Sequence, residues 1–306
     1  MVGIGIIGVG RWGTNCFRAL TTLPEADVRW ICARSAKSMQ AALDIVKPAK
    51  LPKTTTECVD LLEDSAVEAV LITTPAKTHY ALVKAALLAD KDVFVEKPFT
   101  CSLTEAEELV EIAAQRKRIL MVGHIHYFSA AIRKLQEDIR AGTIPTIKSL
   151  RCDMLHNEVG RKDAGALWDM MPHAFTMFHA LTNAVPQQIT ASGNSDAVTV
   201  TLQYSDGLTA TAQGDWNSPN KMTQLEVIAN HRAVFDVYAK DQLQYDGVPQ
   251  PVPAGPPLQA ELQHFLACVT TRNEPLTSGR NSLPIMRMLD AAQRSLDSGM
   301  PISLPQ

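Results

Sequence analysis

The sequence has no marked excess of charge of one sign and no long apolar run. Its 29 lysine and arginine residues nearly balance 32 aspartate and glutamate residues, which leaves a formal net charge of −3. This balance gives no electrostatic attraction to nucleic acid or to an anionic membrane. The apolar stretch at residues 2–9 has no basic leader and is too short for a signal-peptide core or a membrane span. We therefore expect neither nucleic acid nor a membrane as a partner.

Cysteine is scarce and scattered, with six residues in 306 and no Cys-x-x-Cys pair. Most of the cysteines fall in apolar segments, so we expect reduced core thiols in a cytoplasmic protein and no disulfide framework. A metal is not expected either. His124 and His126 alternate on a predicted strand, but no recognisable zinc spacing follows them and no cysteine joins them.

Two different patterns of apolar residues divide the chain. Over residues 1–123, short apolar strands alternate with helical segments, as in a parallel sheet covered by helices on both faces. Over residues 124–306 strands dominate, and Tyr204-Ser205-Asp206-Gly207 is typical of a hairpin turn. The sequence therefore predicts an α/β protein. Its N-terminal domain would have a doubly wound parallel sheet, and its C-terminal α/β domain an open, mostly antiparallel sheet.

A glycine motif follows the first predicted strand. Gly8-Val9-Gly10-Arg11-Trp12-Gly13 matches Gly-x-Gly-x-x-Gly between a buried strand and a helix, which is the context of a Rossmann dinucleotide site. The first glycine permits the turn, the second lets the backbone approach a pyrophosphate, and the third lets strand and helix pack closely. The helix N-terminus would then bind the phosphates. The alternative is a glycine turn that binds nothing.

The end of the second predicted strand bears on which nicotinamide dinucleotide is bound. An NAD site usually has an acidic residue there, which accepts hydrogen bonds from the ribose hydroxyls. This sequence has Ala33 instead, followed by Arg34 and Ser35, with Lys37 close by. Arg34, Ser35 and Lys37 could hold the 2′-phosphate of NADP, so NADP is favoured over NAD. The alternative is that Arg34 and Lys37 are ordinary solvated loop residues.

Two further segments supply groups for proton transfer. Glu96-Lys97-Pro98 ends a buried strand, at the sheet edge where ligands of open α/β sheets bind. Asp169 and His173 lie four residues apart where the pattern is typical of a helix start, with Pro172 in the first turn. Histidine can accept a hydroxyl proton near neutral pH, and a carboxylate can orient it. The alternative for Glu96 and Lys97 is a surface ion pair at the end of a strand. The alternative for Asp169 and His173 is an N-cap aspartate and a histidine buried in the core.

These motifs, in this order, resemble the Gfo/Idh/MocA family, which includes glucose–fructose oxidoreductase and inositol 2-dehydrogenase. The resemblance covers nearly the whole chain. It rests on Gly8–Gly13, Thr73-Thr74-Pro75 with His79, Glu96-Lys97-Pro98, Gly123-His124 before an aromatic pair, Leu167-Trp168-Asp169 through His173, and Leu276-Thr277-Ser278-Gly279 before a helix. The Glu-Lys-Pro and Asp…His elements in this order are specific together.

The resemblance implies a Rossmann domain over residues 1–123 and a substrate-binding domain over residues 124–306. The open sheet of the second domain often mediates oligomerisation, so we expect a homodimer or homotetramer. By the same resemblance, His173 is the catalytic acid or base, with Asp169 beside it, and Lys97 positions substrate and nicotinamide. Together with the residues after the second strand, the predicted cofactor-binding residues are Gly8, Gly10, Arg11, Trp12, Gly13, Arg34, Ser35, Lys37, Thr73, Thr74, Pro75, His79, Glu96 and Lys97. The implied substrate-binding residues are Lys97, His124, Arg161, Trp168, Asp169 and His173.

The resemblance also implies a polyol, a sugar or a nucleotide sugar as substrate, and the Arg161 and Trp168 region looks most like members acting on the last two. Two positions depart from the family pattern: Ala33 replaces an acidic residue, and Ser129-Ala130 replaces Asn-Pro. We predict an oxidoreductase that transfers a hydride between nicotinamide and a secondary alcohol or ketone of such a substrate. Two alternatives stay open, a nicotinamide-dependent glycoside hydrolase of the same family and a non-catalytic NADPH-responsive binding protein.

Overall fold

The structure is a computed structural model that describes residues 1–157, 164–239 and 242–305. Its strands, in chain order, are β1 (Val2–Ile7), β2 (Ala26–Cys32), β3 (Lys53–Thr55), β4 (Ala69–Ile72), β5 (Asp92–Glu96), β6 (Leu120–Gly123), β7 (Ser149–Asn157), β8 (Gln188–Gly193), β9 (Ala197–Gln203), β10 (Thr209–Asp215), β11 (Asn217–Ile228), β12 (Arg232–Asp236), β13 (Leu243–Tyr245), β14 (Val248–Pro249) and β15 (Ile302–Ser303).

The α-helices, in chain order, are α1 (Arg11–Thr21), α2 (Ala36–Val46), α3 (Cys58–Glu63), α4 (His79–Leu88), α5 (Leu103–Arg116), α6 (Ala130–Arg140), α7 (Ala166–Thr182), α8 (Pro257–Thr271) and α9 (Gly279–Ser298). Short 3₁₀ turns precede α4 and α6. In the part of the chain that the structure describes, no helix combines the length and apolar character needed to cross a bilayer.

The chain forms two compact units. The first contains Met1–Gly123 and Pro256–Leu283, and the second contains His124–Gly255 and Pro284–Gln306. Pro256–Leu283 thus belongs to the first unit, whereas the sequence analysis assigned it to the domain of residues 124–306. The reason is packing within that unit: α8 lies against α1 and β1, and the Arg272 guanidinium binds the buried Asp92 carboxylate at 3.0 Å.

The sheet of the first unit is wholly parallel, as predicted, with the strand order β3-β2-β1-β4-β5-β6. β1, β4, β5 and β6 are buried along their whole length, which explains why their sequences are almost continuously apolar. The strand order reverses between β1 and β4, and ligands of open α/β sheets bind beyond the carboxyl ends at such a point. β3 was not predicted as a strand, because its three residues are polar and mostly exposed.

The sheet of the second unit has the order β14-β13-β12-β11-β7-β10-β9-β8-β15. Its pairs are antiparallel except for β7 with β10, which confirms the prediction of a mostly antiparallel sheet. The predicted hairpin turn joins β9 and β10: the Tyr204 N–H donates to the Leu208 carbonyl at 3.0 Å, and Gly207 has φ +87°. α7 packs on β10, β9 and β7, and so one long helix covers the middle of the sheet.

Candidate active site

The glycine turn of the first unit has the geometry expected of a dinucleotide cradle. Gly8 has φ +96°, a conformation that favours glycine. A Cβ at Gly13 would lie 2.1 Å from the Gly8 carbonyl oxygen, so only glycine lets α1 start this close to β1. A Cβ at Gly10 would meet no atom within 4 Å, which leaves open space beside the N-terminus of α1. The three glycines therefore fit the three roles that a bound pyrophosphate requires.

Residues that follow β4 close one side of this turn. The Thr73 hydroxyl donates to the Gly8 carbonyl at 2.5 Å, and the Thr73 N–H donates to the Ile7 carbonyl at 2.9 Å. The buried His79 ring faces two carbonyl oxygens, that of Pro98 at 2.8 Å from Nδ1 and that of Thr74 at 2.9 Å from Nε2. The ring therefore lies between the Thr74 and Pro98 backbones, and in either neutral tautomer its single N–H donates to one of the two carbonyls. His79 is one of the predicted cofactor-binding residues, and from this position it would act indirectly, by supporting the backbone at Thr74 and Pro98.

The loop after β2 presents two cations to solvent. Arg34 and Lys37 are exposed, and among the described residues neither has an ion-pair partner. Ser35 is the N-cap of α2, where its hydroxyl accepts from the Ser38 N–H at 3.3 Å. Exposed cations beside a helix N-terminus are suited to an anionic group. The arrangement fits a 2′-phosphate, and the solvated-loop interpretation is equally compatible with it.

A buried carboxylate lies at the end of β5. Glu96 is 8 % exposed, and its carboxylate accepts from the Trp12 indole N–H and, at 3.2 Å, from the Lys97 N–H. Gly123, on the neighbouring β6, makes room for it, since a Cβ there would lie 3.1 Å from the carboxyl carbon. Glu96 is therefore a buried carboxylate and not a surface one. It supports Trp12 and the backbone of Lys97, while the Lys97 side chain remains partly exposed.

The second unit carries Asp169 and His173 on α7. The helix starts at Ala166 with Gly165 as its N-cap, so the prediction that it starts near Asp169 with Pro172 in the first turn was wrong. Pro172 lies in the helix interior, a position we did not expect because proline there removes a backbone hydrogen bond. Asp169 is consequently not an N-cap. The i, i+4 spacing places it on the same helix face as His173, and both side chains are partly exposed.

His124 has a defined orientation within the second unit. It is not on a strand, as we had predicted, because β6 ends at Gly123 and a 3₁₀ turn follows. The Thr176 hydroxyl donates to the Pro172 carbonyl at 2.6 Å and lies 2.9 Å from His124 Nδ1. A hydroxyl has one proton, so His124 Nδ1–H must be the donor to Thr176. In the neutral imidazole this leaves Nε2 as the acceptor nitrogen.

Two further aromatic side chains of the second unit, His126 and Trp168, have defined contacts, and of these only Trp168 was a predicted substrate residue. The His126 ring stands edge-on to His173, with centroids 4.8 Å apart and planes at 79°. The Trp168 indole N–H donates to Oε1 of Gln293 on α9 at 2.9 Å, and this hydrogen bond fixes the orientation of the indole ring. Arg161 lies outside the described residues. His126 entered our sequence argument only as a metal ligand, and its ring contact with His173 was missed.

Sequence reasoning also missed Glu261 of the first unit. Glu261 is fully buried on α8, and neither of its carboxyl oxygens has a hydrogen-bond partner among the described residues. Burial first, and then the negative charge of Glu96, raise the pKa of Glu261 well above its ordinary value of 4.5. In the sequence, Glu261 stands among apolar residues such as Leu262 and Phe265, which are also buried on α8. This pattern could have indicated that the carboxyl group is buried.

Two family models match the chain. The model of an oxidoreductase family with an NAD-binding Rossmann fold matches residues 2–124, and the GFO/IDH/MocA C-terminal domain matches residues 132–234. The chain belongs to the Gfo/Idh/MocA family of oxidoreductases. The resemblance predicted from the motifs is thereby confirmed, and the glycine cradle lies in the NAD-binding fold of the family.

Similar proteins cover almost the full length. Inositol 2-dehydrogenase of Rhizobium meliloti is 26% identical, over 99% of this chain and 99% of its own. Two solved structures share the fold. An oxidoreductase from Agrobacterium radiobacter in complex with NAD+, L-tartaric acid and magnesium is 18% identical with a TM-score of 0.84, over 99% of this chain and 98% of its own. UDP-N-acetylglucosamine 3-dehydrogenase from Acidithiobacillus ferrooxidans is 20% identical with a TM-score of 0.84, over 97% of this chain and 98% of its own.

Proposed function

We propose that this oxidoreductase prefers NADP and transfers a hydride between nicotinamide and a secondary alcohol or ketone of a sugar, inositol or nucleotide sugar. The observation that carries the proposal is the cradle of the first unit. Gly10 leaves open space at the N-terminus of α1. At the end of the neighbouring strand Ala33 stands in place of an acidic residue, and the next residue, Arg34, has no ion-pair partner among the described residues. The substrate class is supported by the similar proteins, which include an inositol dehydrogenase and a nucleotide-sugar dehydrogenase.

In the proposed reaction, His173, Asp169 and Lys97 have separate roles. Bound nicotinamide supplies the hydride acceptor or donor. In the oxidative direction His173 accepts the hydroxyl proton, and Asp169, on the same helix face, orients the imidazole or binds a second hydroxyl. Lys97 binds the substrate oxygen and the cofactor ribose, and its backbone is held by Glu96. Holding Asp169 and His173 on one helix face before reaction removes part of the entropy cost of orienting them.

The first test is absorbance of the reduced nicotinamide during incubation with sugars, inositols and nucleotide sugars, with NADP and NAD in separate reactions. We expect net reduction with at least one substrate and a higher kcat/KM for NADP. Release of product from an aryl glycoside without net cofactor change would support the glycoside hydrolase instead. Tight NADPH binding with no turnover on any substrate would support the binding protein.

The assignment of His173 has a matched control on the same helix. Loss of a general acid or base costs about 10²–10⁴ in rate, so His173→Ala should reduce kcat by that factor. His179, also on α7, bonds the Ala184 carbonyl at 3.1 Å, and His179→Ala should retain turnover. Equal kcat for His173→Ala and the wild type would contradict the assignment.

A further inference from the structure

Two cysteines meet at the adenosine end of the proposed dinucleotide site. Cys32 is the last residue of β2 and Cys58 is the first residue of α3, and their sulfur atoms lie 3.5 Å apart. The other cysteines are Cys16, Cys101, Cys152 and Cys268, and no sulfur–sulfur contact joins any of them in the described residues. The contact within the first unit therefore distinguishes this pair from the remaining thiols.

The two thiols have different environments. Cys32 is 2 % exposed, whereas Cys58 is partly exposed to solvent. A thiolate is better solvated at the more exposed sulfur, so ionisation of the pair places the charge on Cys58 and leaves Cys32 as the hydrogen-bond donor. This hydrogen bond lowers the pKa of Cys58. The same hydrogen bond and, after it, burial raise the pKa of Cys32. Cys58 is thus the more nucleophilic thiol, and Cys32 is within reach to react next.

We propose that Cys32 and Cys58 are a modification site at which a peroxide forms a disulfide. The Cys58 thiolate attacks one peroxide oxygen, so an S–O bond forms, the O–O bond breaks, and the leaving hydroxide takes up a proton as water. Cys32 then attacks the sulfur of the Cys58 sulfenic acid, so the S–S bond forms and the second oxygen leaves as water. Two thiols are oxidised and one hydrogen peroxide is reduced to two waters.

The disulfide would alter the backbone beside the proposed 2′-phosphate position. Ala33 directly follows Cys32, and its N–H donates to the Thr55 carbonyl at 3.2 Å, three residues before Cys58. A disulfide needs sulfur atoms about 2 Å apart, so rotation of the two side chains, together with any shift of the segments on which Cys32 and Cys58 lie, must close the 3.5 Å gap. Arg34 lies on one of those segments. Oxidation is therefore expected to weaken NADP binding, an effect that rests on the proposed function.

The test treats reduced protein with hydrogen peroxide and measures free thiols, intact mass and linked peptides. We expect the loss of two thiols, a mass lower by two hydrogen atoms, and a peptide that joins Cys32 to Cys58. Cys58→Ser and Cys32→Ser should not form this link, while Cys101→Ser, which removes an exposed thiol, should form it like the wild type. Sulfinic acid at Cys58, or a link through Cys101 only, would overturn the proposal.

The effect on binding is measured on the same samples by titration with NADP. We expect the Kd of oxidised wild type to rise about tenfold and to return after reduction with dithiothreitol, with no peroxide effect in Cys58→Ser. A linked protein with an unchanged Kd would overturn the effect on binding. If reduced protein binds no nicotinamide dinucleotide, the proposed function fails and the effect on binding fails with it. The mass measurement still decides the disulfide.

Discussion

The indole N–H of Trp12, in the first turn of α1, donates a hydrogen bond to the carboxylate of Glu96 at the end of β5. Glu96 also accepts from the backbone N–H of Lys97. Because Glu96 is buried, bulk water cannot replace a donor that is removed. One carboxylate therefore connects the glycine cradle to the lysine that we propose as catalytic.

Trp12→Phe keeps an aromatic ring and removes the donor to Glu96. Since hydrogen bonds to charged groups contribute about 1.5–3 kcal/mol, the free energy of unfolding should fall by that amount. The KM for the dinucleotide should rise as well, because Trp12 lies in the cradle. Urea unfolding and steady-state kinetics measure the two effects. Trp30→Phe is the control: its indole donates to Asp64 at 2.8 Å, so we expect lower stability with an unchanged KM. Equal KM changes in both variants would contradict the role of Trp12.

The glycines of the cradle predict two opposite results for the same substitution. Gly13→Ala places a methyl group 2.1 Å from the Gly8 carbonyl oxygen, so the strand–turn–helix junction must distort and the melting temperature should fall. Gly10→Ala meets no protein atom, so the melting temperature should stay near that of the wild type. Its methyl group instead occupies the approach of the pyrophosphate, and we expect the dinucleotide Kd to rise about tenfold or more. Wild-type binding by Gly10→Ala would show that the dinucleotide lies elsewhere.

Much of this fold follows from short-range patterns. The buried parallel strands are apolar over their length, and the hairpin at Tyr204–Gly207 follows from its turn residues and alternating flanks. The glycine cradle could be predicted for a similar reason, because its glycines are required by local geometry: Gly8 has a positive φ, and Gly13 lies close to the Gly8 carbonyl. These features depend on residues that are near one another in the chain.

The features that could not be predicted depend on distant contacts. The burial of Glu261 is set by the packing of α8 on α1 and β1, more than two hundred residues away in sequence. The contact of Cys32 with Cys58 depends on where α3 starts relative to β2. The start of α7 was missed because Gly165 makes no side-chain cap, and Pro172 suggested a first turn where an interior turn exists.

Arg34 should determine the preference between the two dinucleotides. Arg34→Ala removes a cation that has no ion-pair partner in the described part of the chain, so kcat/KM with NADP should fall about tenfold or more, while kcat/KM with NAD should change little. The control is Arg29→Ala on β2 itself, which loses an ion pair with Asp27 at 3.0 Å and should keep the preference. Parallel losses with both cofactors in Arg34→Ala would contradict recognition of a 2′-phosphate and would favour the solvated-loop interpretation.

Glu261 should make the stability of the protein depend on pH. Its pKa is raised in the folded state by burial and then by the charge of Glu96, so the folded protein retains a proton that the unfolded chain releases above pH 4.5. Stability should therefore fall as pH rises above that value, by at most about 1.4 kcal/mol per pH unit from this group, until the folded-state pKa is reached. Glu261→Gln stays neutral in both states and should reduce this slope. Urea unfolding at several pH values between 5 and 8 measures it, with Glu111→Gln on the exposed face of α5 as the control. If Glu261→Gln and the wild type show the same slope, Glu261 ionises in the folded protein as readily as in the unfolded chain.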